Sequence, residues 1–162
     1  MAHQAMSSQV THQLYTREQL ERRDSTYWTT VQGVLAPLQF VVFLVSLALV
    51  VRYLATGAGY EIATLSIVVK TLVLYLIMVT GAIWEKVVFD QYLLAPAFFW
   101  EDVFSFLVIA LHTAYLIALS TGWLDPTGLM WLALAAYVTY VINATQFLLK
   151  LRRVRLETAA AQ

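Results

Sequence analysis

Hydrophobic positions along this chain fall into four long runs, at about residues 34–54, 62–83, 103–123 and 129–149. Each has the roughly 20 apolar residues that a helix needs to cross a hydrocarbon layer about 30 Å thick. The first three contain no acidic residue and the fourth no charge at all. Sustained alternation of the barrel type is absent, so helices, which satisfy their own backbone in lipid, are the elements predicted. The pattern therefore predicts an all-α polytopic membrane protein, a four-transmembrane-helix bundle.

The polar breaks between runs differ in kind. Thr56, Gly57 and Gly59 close the first run, and Asp125, Pro126 and Gly128 separate the third from the fourth. Both sets are helix stop and turn signals. Ahead of the first run, residues 1–24 are polar and of mixed charge, with no apolar stretch before a small-residue cleavage site. Thr16 followed by Gln19 predicts a capping box and a short surface helix over residues 17–23. The expected organisation is a disordered tail at 1–14, a membrane domain at 15–155 and a C-terminal tail at 156–162. No internal repeat of twenty to fifty residues and no low-complexity block interrupts it.

The middle break, GAIWEKVVFDQYLLAPAFFWED at residues 81–102, is neither a turn nor a span. It is too apolar for a wet loop and too short to cross, and Pro96 interrupts it, so an interfacial connection over 84–102 is predicted. Within it a Trp-Glu pair occurs twice, as Trp84-Glu85 and Trp100-Glu101. The two pairs read as mirror-image corners where one helix leaves the bilayer and the next enters. Trp84, Tyr92, Phe98, Phe99 and Trp100 fit equally an aromatic belt at the membrane surface.

Composition agrees with lipid as the solvent: 60% of residues are hydrophobic and 12% charged, against about half and a quarter in soluble domains. The net charge of zero conceals an asymmetry. Arg17, Arg22, Arg23, Lys86, Lys150, Arg152, Arg153 and Arg155 fall at one end of the bundle, whereas the other end has Arg52, Glu61 and Asp125. The positive-inside rule then puts both termini and residues 81–102 on the cytoplasmic side.

Candidate chemistry is concentrated in the middle break. Glu85, Glu101 and Asp102 adjoin spans where water thins, so they are expected to hold protons more tightly than in bulk and to serve as general acid or base. The plainer readings pair Glu85 with Lys86 and give Glu101 and Asp102 to the dipole of a helix start. At 100° per residue, Glu101, Ser105, Val108, His112 and Tyr115 share one face of the third span. Thr139, Asn143, Gln146 and Lys150 form a stripe on the fourth, and Gln32, Gln39 and Ser46 one on the first, with Lys70 and Thr80 interrupting the second. These stripes suit either interhelical hydrogen bonds or a cavity opening at the interface. For Lys70 a buried partner is expected that the sequence does not name.

Several chemistries lack their residues. The chain has no cysteine, and His3 and His12 lie in the tail, leaving His112 alone in the bundle. There is no phosphate-cradling glycine loop, dinucleotide fingerprint or nucleophile elbow, and no basic patch suited to nucleic acid. Acid–base chemistry without a redox cofactor, or binding of a large flat apolar molecule, remains.

The segments VQGVLAPLQF, VRYLATG, GAIWEKVVF, APAFFWED, LHTAYL and YVINATQFLLKLR together strongly resemble the vinyl chlorophyllide hydratases of bacteriochlorophyll biosynthesis. The resemblance covers about residues 15–155. It implies addition of water across the C3-vinyl group of a chlorin or bacteriochlorin, giving a 1-hydroxyethyl group, in a bacterial cytoplasmic or intracytoplasmic membrane. The implied partners are the tetrapyrrole and the lipid bilayer, with a second copy of the chain or other pigment-synthesis enzymes beyond them. The magnesium belongs to the pigment, and no cofactor of the protein's own is expected.

Hydration of a conjugated vinyl group needs a proton at the terminal carbon and water at the inner one, hence a general acid and a water-positioning base. Glu101 is assigned the proton donor, with Asp102 tuning it and Glu85 orienting water, roles in which the two glutamates are interchangeable. His112 is either part of the proton path or an axial partner of the pigment magnesium. Trp84, Phe99, Trp100, Tyr115, Asn143 and Gln146 are the expected substrate contacts. The rival classes are a non-catalytic pigment-binding or assembly subunit, which needs the rings and the histidine but not the acids, and a small proton-coupled transporter.

Overall fold

The structure of the chain is a computed structural model and describes residues 14–160. The tail expected to be disordered lies outside the described residues except for Leu14. Five helices follow in order: α1 (Arg17–Ser25), α2 (Tyr27–Thr56), α3 (Tyr60–Phe89), α4 (Phe99–Thr121) and α5 (Pro126–Ala160). Among the described residues there is no strand. Helices α2 to α5 are each long and apolar enough to cross a membrane.

Local chemistry explains the boundaries. The Thr16 hydroxyl accepts from the Gln19 N–H at 3.2 Å while the Gln19 side chain accepts from the Thr16 N–H at 2.9 Å, completing the capping box of α1. Thr26 ends α1 and caps α2. Gly57 at φ 71° and Gly59 at φ 86° make the turn into α3, a conformation that costs any side-chain-bearing residue steric strain. Pro126, with no N–H to leave unpaired, opens α5, and the Asp125 carboxylate accepts from the Gly128 N–H.

Helices run past the apolar spans. Thirty residues make α2 and α3 about 45 Å long, beyond the hydrocarbon thickness of about 30 Å, so their ends project from it. Two boundaries differ from the sequence reading. The 84–102 connection is mostly helix: α3 continues to Phe89, α4 begins at Phe99, and only residues 90–98 are irregular. That stretch folds back on the bundle, burying Ala95, Ala97 and Phe98. The C-terminal tail is likewise helical to Ala160, as part of α5.

α2 packs closely on α3, and α4 on α5, and the two antiparallel hairpins then meet. Their shared core holds Phe43, Ile67, Leu74, Val108, Tyr115, Met130, Tyr137 and Tyr140. Between 22% and 28% of each spanning window is buried, so the remaining, largely apolar surface faces outward, as lipid requires. At the end of the bundle that carries both termini, a second cluster of Tyr15, Val88, Ala97, Phe98 and Val154 packs with Trp84, Phe89 and Phe147. The carboxyl groups lie beside this second cluster.

Candidate active site

Glu85, on the last turns of α3, and Glu101 and Asp102, on the first turn of α4, are all buried. They do not form mirror-image corners. Glu85 faces Asp102, carboxyl to carboxyl. Asp102 Oδ2 accepts from the Leu94 N–H at 2.7 Å, and Glu85 Oε2 accepts from the Ala95 N–H at 3.4 Å. Leu94, whose N–H meets Asp102, sits at φ 60°, a left-handed conformation strained for a side-chain-bearing residue. Among the described residues no lysine or arginine forms an ion pair with either acid. Burial and the facing Asp102 push the Glu85 carboxyl up, and burial pushes Asp102 up against the Leu94 N–H bond, so the pair favours holding a proton.

Glu101 has a different environment. Its Oε1 lies 3.2 Å from Lys150 Nζ, and the same ammonium donates to the Ala97 carbonyl at 2.7 Å. Glu101 Oε2 is buried and has no protein partner. The Asn143 amide donates to the Glu101 carbonyl at 2.9 Å, and Ser105 donates to both that carbonyl and Asn143 Oδ1, clamping the start of α4 to α5. Gln146 Oε1 accepts weakly from Asn143 at 3.4 Å. The plain pairing of Glu85 with Lys86 does not occur, because Lys86 bonds Asp90 at 2.8 Å instead.

The aromatic pairs also separate. Trp84 is half-buried, donates from Nε1 to Thr29 at 2.9 Å, and packs edge-on against Phe98 and Phe89. Trp100 is 70% exposed and Phe99 stands edge-on beside it, so these two rings form the outward corner.

His112 and Tyr115 share the buried face of α4 with Glu101, as the spacing implies. They are nonetheless distant from the acids, being eleven and fourteen residues along the helix, about 16 and 21 Å. The expected buried partner of Lys70 is His112: Nζ lies 2.8 Å from Nε2, and the ammonium lies 3.9 Å from the Tyr140 ring centroid. His112 Nδ1 bonds the Val108 carbonyl at 2.7 Å, which makes it the N–H nitrogen and leaves Nε2 to accept from Lys70. Both ring nitrogens are thus engaged by protein groups, and a pigment magnesium would have to displace Lys70 to reach His112. The Tyr115 hydroxyl is buried without a partner.

Sequence reasoning missed three contributors. Lys150 was visible as a member of the α5 stripe, one turn beyond Gln146. The Leu94 and Ala95 N–H groups and the ring of Tyr15 carried no sequence signal. Burial pushes the Tyr15 phenol up, an effect the Arg23 charge opposes and the nearby Glu85 reinforces.

The fold and the site define a polytopic helical membrane protein with a carboxyl cluster at the end of its bundle. A family described as 2-vinyl bacteriochlorophyllide hydratase matches residues 15–153, and the chain belongs to that family. A protein of Cereibacter sphaeroides named 2-vinyl bacteriochlorophyllide hydratase is 72% identical over 150 residues, covering 92% of each chain. A Rhodobacter capsulatus protein of the same name is 71% identical over 147 residues, covering 91% of this chain and 85% of that one. No solved structure matches the chain.

Proposed function

We propose that this chain adds water across the vinyl group of a bacteriochlorophyllide-type pigment, with the Glu85–Asp102 pair as proton donor and Glu101 as the group that orients water. The carrying observation is the unequal pairing of the three acids: two face each other without a cation, while the third has a lysine. A protonated carboxyl and an ionised carboxylate are the two states that hydration demands. This exchanges the roles assigned from sequence, because Lys150 meets Glu101 whereas no cation meets the Glu85–Asp102 pair.

The pair donates its proton to the terminal vinyl carbon, and the macrocycle delocalises the positive charge developing on the inner carbon. Glu101 Oε2, buried and otherwise unpartnered, accepts from a water whose oxygen bonds to that inner carbon. The water's surplus proton passes to Glu101, and its return to the pair closes a cycle that consumes one water. No electron changes hands, so the chemistry calls for no redox cofactor. The pigment's magnesium enters as part of the substrate. The end of the bundle with the acids also carries most of the basic residues, which supports a cytoplasmic active face.

Purified protein incubated with a vinyl chlorophyllide in ¹⁸O-labelled water is expected to yield a product heavier by one labelled water. A product oxygen without label, and so from dioxygen, or pigment bound without any gain of water, would overturn the reading, the latter in favour of a binding subunit.

A further inference from the structure

Beyond the carboxyl groups, at the same end of the bundle, a cleft of about 250 Å³ opens between α1 and the last turns of α5, lined by Arg23, Val154, Arg155, Thr158 and Ala159. Two guanidinium-bearing residues from different elements converge on it. Neighbouring acids are already matched: Asp24 lies 2.8 Å from Arg23, and Glu157 bonds Arg153 at 2.9 Å and faces the Leu14 N–H. Among the described residues, Arg155 has no carboxylate within ion-pair reach. The cleft therefore has the charge of Arg155 to spare, beside an Arg23 already shared with Asp24, and suits an anion, for which guanidinium forks are well matched.

Its position narrows the choice of anion. Val154, in the wall of the cleft, is also a buried member of the cluster formed with Tyr15, Ala97 and Phe98. It lies four residues, about 6 Å of helix rise, beyond Lys150, which holds Glu101. Arg23 also reaches back over Tyr15, 5.4 Å from its ring centroid, and the Glu85 charge lies near enough to act on the Tyr15 phenol. One apolar cluster thus borders both Lys150, which holds Glu101, and the cleft with the unmatched Arg155. A chlorophyllide has the corresponding layout, a flat apolar macrocycle whose vinyl group and free propionic acid sit on neighbouring pyrrole rings.

We propose that Arg155 and Arg23 bind the propionate carboxylate of the substrate and so set the vinyl group against Glu85, Asp102 and Glu101. This rests on the hydratase reading and extends it to the residues that hold the free acid group of the substrate.

The test compares a vinyl chlorophyllide with its propionate methyl ester. The unsubstituted protein is expected to show a KM for the ester roughly tenfold to hundredfold higher than for the acid, the range a charge-assisted hydrogen bond supplies. Arg155→Gln is expected to raise the KM for the acid by the same factor, with no added penalty when variant and ester are combined. Arg152→Gln, one turn short of the cleft wall, serves as the neighbouring-charge control and is expected to discriminate acid from ester as before. Equal KM for acid and ester would overturn the proposal. So would an Arg155→Gln penalty of equal factor on both, which assigns the arginine to folding or to anionic lipid. Absorbance titration of pigment binding gives the same comparison without turnover. A protein that binds the acid over the ester yet hydrates neither would sink the hydratase reading and leave the carboxylate subsite standing.

Discussion

Lys150 Nζ lies 3.2 Å from Glu101 Oε1 while donating to the Ala97 carbonyl, so one ammonium ties α5 both to the first turn of α4 and to the segment that folds back before it. The pair places a carboxylate with one oxygen held and the other open. Lys150→Met is expected to destabilise the protein by about 1–3 kcal/mol, below the 3–5 of a fully enclosed pair because the lysine side chain is 20% exposed. Lys150→Arg keeps the charge and is expected to recover much of both stability and turnover. Thermal unfolding in detergent, read beside kcat, checks both.

The donor role of the Glu85–Asp102 pair predicts an alkaline limb in the pH profile. Glu85→Gln removes the donor, and hydration is expected to fall by about 10²-fold to 10⁴-fold with pigment affinity little changed. The sign follows from the proton: the pair works while it holds one, so kcat declines as pH rises through the loss of that proton, and Glu85→Gln abolishes this alkaline limb. Glu101→Gln leaves the pair intact and is expected to lower kcat while keeping the alkaline limb. Loss of that limb in Glu101→Gln, with the limb kept in Glu85→Gln, would return the donor role to Glu101.

Lys70 and His112 depend on one another. Lys70→Met or His112→Leu alone leaves a buried polar group without its partner and is expected to cost about 1–3 kcal/mol. The double variant is expected to be more stable than the sum of the single losses implies, because no orphan remains. A double-variant cycle of unfolding free energies reads the coupling. Strictly additive losses would mean that the 2.8 Å contact contributes nothing.

Topology is checked with introduced thiols, since the chain has no cysteine of its own. Ala160→Cys is expected to react with an impermeant reagent added from the cytoplasmic side, and Ala58→Cys, in the α2–α3 turn, from the opposite side. Reversed labelling would invert the proposed orientation of the active face.

What the sequence determined by itself is what one helix decides within itself. Four apolar runs, each long enough to span, specify four spanning helices because backbone groups in hydrocarbon must be satisfied within the segment. The Thr16–Gln19 spacing specifies the start of α1, and the recurrence of Glu101, Ser105, Val108, His112 and Tyr115 specifies the buried face of α4, since helix rotation per residue is constant. The same periodicity says nothing of how far one helix slides or turns against another. Only the tertiary structure decided that Glu85 meets Asp102 rather than Lys86, that Glu101 meets Lys150, and that Lys70 meets His112. Each of these partners comes from a different helix, and its place depends on how the helices pack against one another. The fold-back of residues 90–98 belongs to the same class. Its left-handed Leu94 is held by an N–H bond to Asp102, and the gain appears only once α4 is already in place.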